Sequence, residues 1–484
     1  MTLRLRIPLL ALGLLALGLP PLPAEAPARP PAAARAYEAI PPRERQQFAA
    51  YHRRLVEQFG GEVRGPAADH VRTVGRRVAV AALPGSRAED WTITLLDSPV
   101  PNAMAVPGGY LYVTRGLLAM MNSEAELASV LGHEAGHIAA RHAQRRQTPQ
   151  AVGALGTIAA AILFGADAGR LAQIGSAALI GGYSRNQERE ADLLGLQAMA
   201  RAGYDPMGAP SMLEALDRVA AVEGRARLER AGLASIFATH PVTAERVQRL
   251  AAEARRMPPG GVVNRDAFLS AIDGIAWGDA AEQGLVEGPR FRHGFLGLAF
   301  SAPAGFTLQN SPAAVLGEGR GGAFRFTGMP LRPAQPLEEA AAEVWQQAAG
   351  AVPPVRPQAR RVNGLEALVA PARLPTRGGL RDVAVAVIRF SDTQGYVFLT
   401  EEAPGEGVLL ETLLSSFRRL SPEEAAEARR GLRIRVVTVR PGETAETLAR
   451  RMAPPYDRPE TLLALNGLSA AGLRPGLRVK LIAP

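Results

Sequence analysis

"SEAELASVLGHEAGHIAARH", residues 123–142, decides how this chain is read. Ser123 followed three residues later by Glu126 is a capping box, so a helix is expected to start at about Ser123 and run toward a basic end. On such a helix His133 and His137 stand one turn apart on the same face, where both imidazoles reach a single ion. Glu134 is offset by one position, close enough to polarise a metal-bound water without entering the coordination shell. His142 lies nine residues past His133 and, at about 100° per residue, points to nearly the opposite face. It is expected to sit near the helix's carbonyl end and not to be a ligand.

The H-E-x-x-H pattern alone is suggestive but insufficient, because a catalytic zinc takes three protein ligands and keeps one position open. The third ligand is sought in "YSRNQEREADLLGLQAMA", residues 183–200. This reads as an amphipathic helix with Glu188 and Asp192 on one face. Glu188 can complete a His/His/Glu shell. Asp192 can accept the other ring N–H of a ligating histidine, His133 being the preferred one, and fix its tautomer. Glu190, about 200° from Glu188, is expected to face solvent.

The chain around these motifs has 484 residues, room for two to four domains, and its 47% apolar and 21% charged composition favours folding over disorder. It has no cysteine, which excludes disulfides, thiol nucleophiles and Cys-ligated zinc. The net charge of +9 does not point to nucleic acid: of 55 basic residues only Lys480 is a lysine, and the arginines form no stripe interleaved with aromatics. Arg4 and Arg6, the apolar run Ile7–Leu19, Pro20, Pro21 and "PAEA" have the layout of a secretory signal peptide, residues 1–24, cleaved after Ala24. An uncleaved membrane anchor is the alternative. A Pro/Ala linker, 25–36, follows. Helices are expected over 43–60 and 68–82, and strands at Trp91–Leu96 and Tyr110–Thr114 with a turn at Pro107, Gly108 and Gly109. The apolar stretch 151–182 reads as a helical hairpin acting as a lid or plug; membrane helices or a peripheral membrane contact are the alternatives.

"GHEAGHIAARH", "YSRNQEREAD" and, upstream, "NAMAVPGGYLYVTRGLL" together resemble zinc metallopeptidase family M48, the gluzincin group with the HtpX-type and BepA-type proteases, over roughly residues 40–255. The resemblance implies one Zn2+ on His133, His137 and Glu188, Glu134 as general base and Asp192 behind the ligands. It also implies that Asn102, Ala103, Met104 and Ala105, within the segment running to Val106, form an edge strand that pairs with substrate backbone. Under it "THPVTAERV" is the family's downstream histidine loop, where His240 stabilises the tetrahedral intermediate or fills the open zinc position at rest. Read from its residues alone, His240 is equally a turn residue before the next helix.

Residues 286–425 alternate strand and helix signals and read as a small α+β domain without clustered chemistry, Trp345 belonging to its core. Residues 434–484 read as strand, two short helices and strand, similar to the LysM module that binds peptidoglycan-type glycans. The expected architecture is α+β multidomain: a mainly helical zincin-type domain with a small sheet over 37–256, the α+β domain, and the βααβ module. The expected activity is that of a periplasmic zinc endopeptidase acting on unfolded or misassembled envelope proteins. A peptidoglycan-associated chaperone or scaffold with a silent metal site is the alternative.

Overall fold

The computed structural model describes residues 39–145, 183–223, 240, 243–353, 356–376 and 379–484. The signal peptide, the Pro/Ala linker and the 151–182 hairpin expected from sequence lie outside these residues. Among the described residues no helix is long and apolar enough to cross a membrane.

The first layer is a small sheet between helices. Helix α1 (Pro42–Gln58) and helix α2 (Pro66–Ala82) both start with proline, whose missing N–H costs nothing there. Strands β1 (Thr92–Leu96), β2 (Ala103–Val106) and β3 (Tyr110–Thr114) form a sheet in the order β1-β3-β2. β1 runs parallel to β3 and β2 antiparallel to it, which leaves β2 at the edge. The period of two sorts the side chains. Leu111 and Val113 join the core built with α2, whereas Tyr110 and Tyr112 join Leu55, Met104 and Val106 on the α1 side.

A short helix α3 (Arg115–Met120), which sequence reading missed, turns the chain into α4 (Glu124–Ala139). The Ser123 hydroxyl accepts from the Glu126 N–H, as a capping box requires. The reciprocal bond differs: the Glu126 carboxylate reaches past Ser123 to the Asn122 N–H, and also accepts from the Ser211 hydroxyl. A one-turn helix α5 (His142–Arg145) follows, then α6 (Arg185–Arg201), α7 (Gly208–Glu223), α8 (Ala244–Arg256) and α9 (Arg265–Ile272).

The middle unit is built on antiparallel pairing. Strands β4 (Ala276–Trp277), β5 (Leu285–Glu287), β6 (Arg290–His293), β7 (Leu298–Ser301), β8 (Thr307–Asn310), β9 (Val315–Gly319) and β10 (Gly322–Pro330) lead to helix α10 (Leu337–Ala349). Strands β11 (Gln358–Val362), β12 (Leu365–Thr376), β13 (Gly379–Arg389) and β14 (Gln394–Glu402) complete a seven-stranded sheet, β11-β12-β13-β14-β10-β9-β8. Helix α11 (Val408–Ser416), strand β15 (Arg418–Arg419) and helix α12 (Pro422–Ala428) close the unit. Both faces of β13 are covered. Val385 and Val387 pack under α10 with Trp345, while Ala386 and Ile388 face a core of Phe291, Phe300, Phe326 and Phe398. A strand buried on both sides is apolar throughout, which is why "VAVAVI" shows no polar alternation.

Strand β16 (Leu432–Thr438), helices α13 (Ala445–Ala449) and α14 (Pro459–Asn466) and strand β17 (Arg478–Ala483) form the expected βααβ unit. It has no core of its own. β4 extends its sheet, and Ile434, Leu448, Leu462, Leu465 and Leu481 belong to one hydrophobic cluster with Phe268, Met120 and Met212. Lys480, fully buried, donates from Nζ to the carbonyls of Ala119 and Met121, 2.8 and 2.6 Å away, acceptors left over at the end of α3.

Burial pushes the Lys480 amine down to about 7, against the pull of Glu126 and with a push from Arg265. The unfolded chain therefore carries one more proton than the folded chain between about pH 7 and the ordinary lysine value of 10.5. The contribution of this group to stability should rise with pH across that window, by at most about 1.4 kcal/mol per unit. Urea midpoints measured at pH 7 and pH 9 should rise more in the wild type than in Lys480→Met. Equal rises in the two proteins would contradict this account.

Candidate metal centre

Three glycines let the two motif helices meet backbone to backbone. A Cβ on Gly195 of α6 would stand 2.9 Å from the His133 amide nitrogen and 3.1 Å from the Gly132 carbonyl carbon. One on Gly136 would stand 3.0 Å from the Ala191 carbonyl oxygen. Side chains of ordinary size at these positions would hold the helices apart. Their closeness brings Glu188, from the first turn of α6, to His133 and His137 on α4. Ser184 starts α6 with a reciprocal capping box to Gln187 and so fixes where that first turn lies.

The donor atoms converge. His133 Nε2 is 3.0 Å from His137 Nε2 and 3.6 Å from Glu188 Oε2, and His137 Nε2 is 3.4 Å from Glu188 Oε1. His240 adds a fourth, its Nδ1 3.2 Å from His133 Nε2 and 3.0 Å from both Glu188 oxygens. Ligand atoms around a tetrahedral ion with bonds of about 2.0–2.2 Å stand about 3.3–3.6 Å apart, so the donor set fits a divalent ion. The four side chains form the metal-capable group among the described residues. His240, expected either at the zinc centre or as a turn residue before the next helix, stands in the cluster, and the Thr243 side chain caps α8.

The ring nitrogens facing away are engaged as well. His133 Nδ1 is 3.0 Å from Asp192 Oδ1, which turns Nε2 inward. Asp192 in turn accepts from Arg246, 2.6 and 3.0 Å, and from Arg249, 3.0 Å; Arg246 Nη2 also lies 3.3 Å from Glu188. Sequence reading missed Arg246. No local pattern in the sequence joins it to Asp192, 54 residues away.

Two expectations need correction. His142 does not lie on a continuation of α4: the helix stops at Ala139, and Arg141, at φ 54°, reverses the chain. His142 is thereby turned back into the protein, fully buried, with Nδ1 2.8 Å from His137 Nδ1. Glu190 does not simply face solvent. It accepts from Arg145 and stands 3.2 Å from His142 Nε2.

Charge follows geometry. Burial alone would raise Glu188, yet His133, His137 and His240 hold it well below the usual carboxylate range. Asp192 behaves alike, burial being outweighed by His133 and Arg246. Burial holds His137 well below the ordinary histidine value, which keeps it neutral and able to ligate. Glu134 is pushed up by burial against the pull of His240 and His133.

Glu134 lies 3.5 Å from His240 Nε2 and, with His133 and Ala103 of β2, borders a cleft continued by Met199, Met212 and Leu216. Ala105 lines a smaller hollow beside His137 and Tyr183, whose rings stack at 3.8 Å. Met104 faces α1 instead, and Asn102 is buried, its Oδ1 accepting from the Ala103 N–H at the start of β2. Of the four residues expected to meet substrate, the two alanines thus face the centre.

Comparison with known proteins bears directly on this segment. Residues 67–254 match the model of Peptidase family M48. This chain is 35% identical over 183 residues to the mitochondrial metalloendopeptidase OMA1 of Schizosaccharomyces pombe, covering 37% of this chain and 50% of that protein. It is 33% identical over 188 residues to OMA1 of Arabidopsis thaliana, covering 38% and 36%. The beta-barrel assembly-enhancing protease of Escherichia coli K12 is 31% identical over 194 residues, covering 37% of each chain. The chain thus spans half or less of the length of these curated relatives. The residues matched by that family model, 67–254, include His133, His137, Glu188 and His240 and end within α8.

Proposed function

We propose that this protein is a zinc-dependent endopeptidase, with His133, His137 and Glu188 as ligands and Glu134 as general base. The convergence of those three donors, with Glu134 beside them, carries the proposal. A bound Zn2+ would polarise a peptide carbonyl and make water acidic enough to react near neutral pH. Glu134, raised by burial, accepts the proton and returns it to the departing amine. Asp192 and Arg246 hold the His133 ring and the Glu188 carboxylate in place. The outer edge of β2 offers backbone groups to an extended substrate strand, and the cleft past Glu134 takes an apolar side chain.

Backbone pairing with an apolar pocket suits unfolded segments, so the substrates proposed are misfolded or misassembled envelope proteins. A periplasmic location and contact of residues 434–484 with peptidoglycan belong to the same proposal. One observation favours a second reading, a chaperone or scaffold with a closed site: His240 Nδ1 stands where a fourth ligand would stand.

Casein hydrolysis by the purified full chain should fall to background with 1,10-phenanthroline, on the order of a hundredfold or more, and return when Zn2+ is restored. Client binding without cleavage, with or without chelator, would instead establish the scaffold.

A further inference from the structure

His142 and Glu190 lie outside the donor set, yet their geometry constrains it. His137 Nδ1 and His142 Nδ1 face each other at 2.8 Å, so one nitrogen carries the proton and the other offers a lone pair. Glu190 settles which. An ionised carboxylate only accepts, and at 3.2 Å from His142 Nε2 it requires the proton of a neutral His142 to sit there. His142 Nδ1 is then bare, His137 must donate from its own Nδ1, and His137 Nε2 is left as a lone pair.

That lone pair points at His133 Nε2 and Glu188 Oε1, 3.0 and 3.4 Å away. The opposite tautomer would place a proton among the donors, where it would block an ion. Glu190 is itself anchored by Arg145, whose Nη1 lies 3.1 and 2.9 Å from its two oxygens.

We infer that His142, held by Glu190, is a positioning residue that fixes His137 in the tautomer able to bind a metal ion. His133 and His137 are thus oriented by different chemistry. His133 leans directly on the buried carboxylate of Asp192, whereas His137 leans on a neutral ring backed by a half-exposed carboxylate. The inference rests on the metal-binding reading given under Proposed function.

The test uses the full chain, with Zn2+ affinity read by competition against a chelating indicator. The histidine tautomers of the metal-free protein are read by 15N–1H correlation. His137 should appear as the Nδ1–H tautomer in the wild type. His142→Leu should weaken Zn2+ binding by about ten- to a hundredfold, the range for groups that orient a ligand, and abolish that signature. His142→Asn puts an acceptor oxygen near the Nδ1 position and should recover most of the loss. Glu190→Gln should weaken binding several-fold.

Unchanged affinity in His142→Leu, or His142→Asn as weak as His142→Leu, overturns the inference; so does an Nε2–H His137 in the wild type. Should His142→Leu fail to fold, His142→Asn and Glu190→Gln decide by the same signals. Wild-type protein that binds no Zn2+ sinks the metal-binding reading separately, and the His137 spectrum still decides this one.

Discussion

Replacing Glu134 by glutamine is expected to lower casein hydrolysis by about a thousandfold, within the range of 10²–10⁴ that a positioned general base contributes. The substitution keeps size and burial but removes the ability to take a proton. Glu134 is nine-tenths or more buried and stands apart from the three proposed ligands, so the Zn2+ content of Glu134→Gln should equal that of the wild type. Its raised carboxyl is a base poised closer to neutral pH than an ordinary glutamate. Metal analysis and hydrolysis rates on the same preparations make the check. A Glu134→Gln protein that holds its metal and still cleaves within about tenfold of the wild type would remove Glu134 from the chemistry.

The second large effect is expected at a residue that has no side chain, Gly195, where the two motif helices touch. Gly195→Val would push a side chain into the amide of His133 and the carbonyl of Gly132, which are helix backbone and cannot swing aside. Overpacking of this kind costs about 1–3 kcal/mol. The cheaper response is for α6 to move away from α4, carrying Glu188 and Asp192 with it. Zn2+ affinity should therefore fall by about a hundredfold or more, beyond what thermal destabilisation alone explains, because one ligand and the group orienting another move together. Chelator competition and thermal unfolding of Gly195→Val separate the two effects. Wild-type affinity in a destabilised Gly195→Val would mean that helix spacing does not set the donor geometry.

What the sequence disclosed was local periodicity. His133 with His137, and Glu188 with Asp192, are separations of four on single helices, and a one-dimensional pattern suffices to place each pair on a face. The β13–β14 hairpin is local in the same way: two β-rich runs point to a hairpin across Asp392 to Gly395, and the strands pair from Arg389 with Gly395 outward, so the turn falls slightly earlier. Where reading failed, the deciding event was a break in that periodicity or a contact across the chain. Extrapolating α4 past Ala139 sent His142 to the wrong side, because a single left-handed residue, Arg141, ends the helix. Arg246 lies 54 residues from its partner Asp192, and no local pattern joins them. The same holds for the βααβ unit: its strand and helix order was legible, but not that its apolar face completes the core beneath α3 and α9.

That shared interior gives Lys480 an unusual chemical position. It is the chain's one lysine, and its amine is sealed between the tail and the helix preceding the metal-binding motif. Acylating reagents can modify this side chain only when the joint opens. Its rate of acylation is thus a built-in clock for that opening, free of any introduced label.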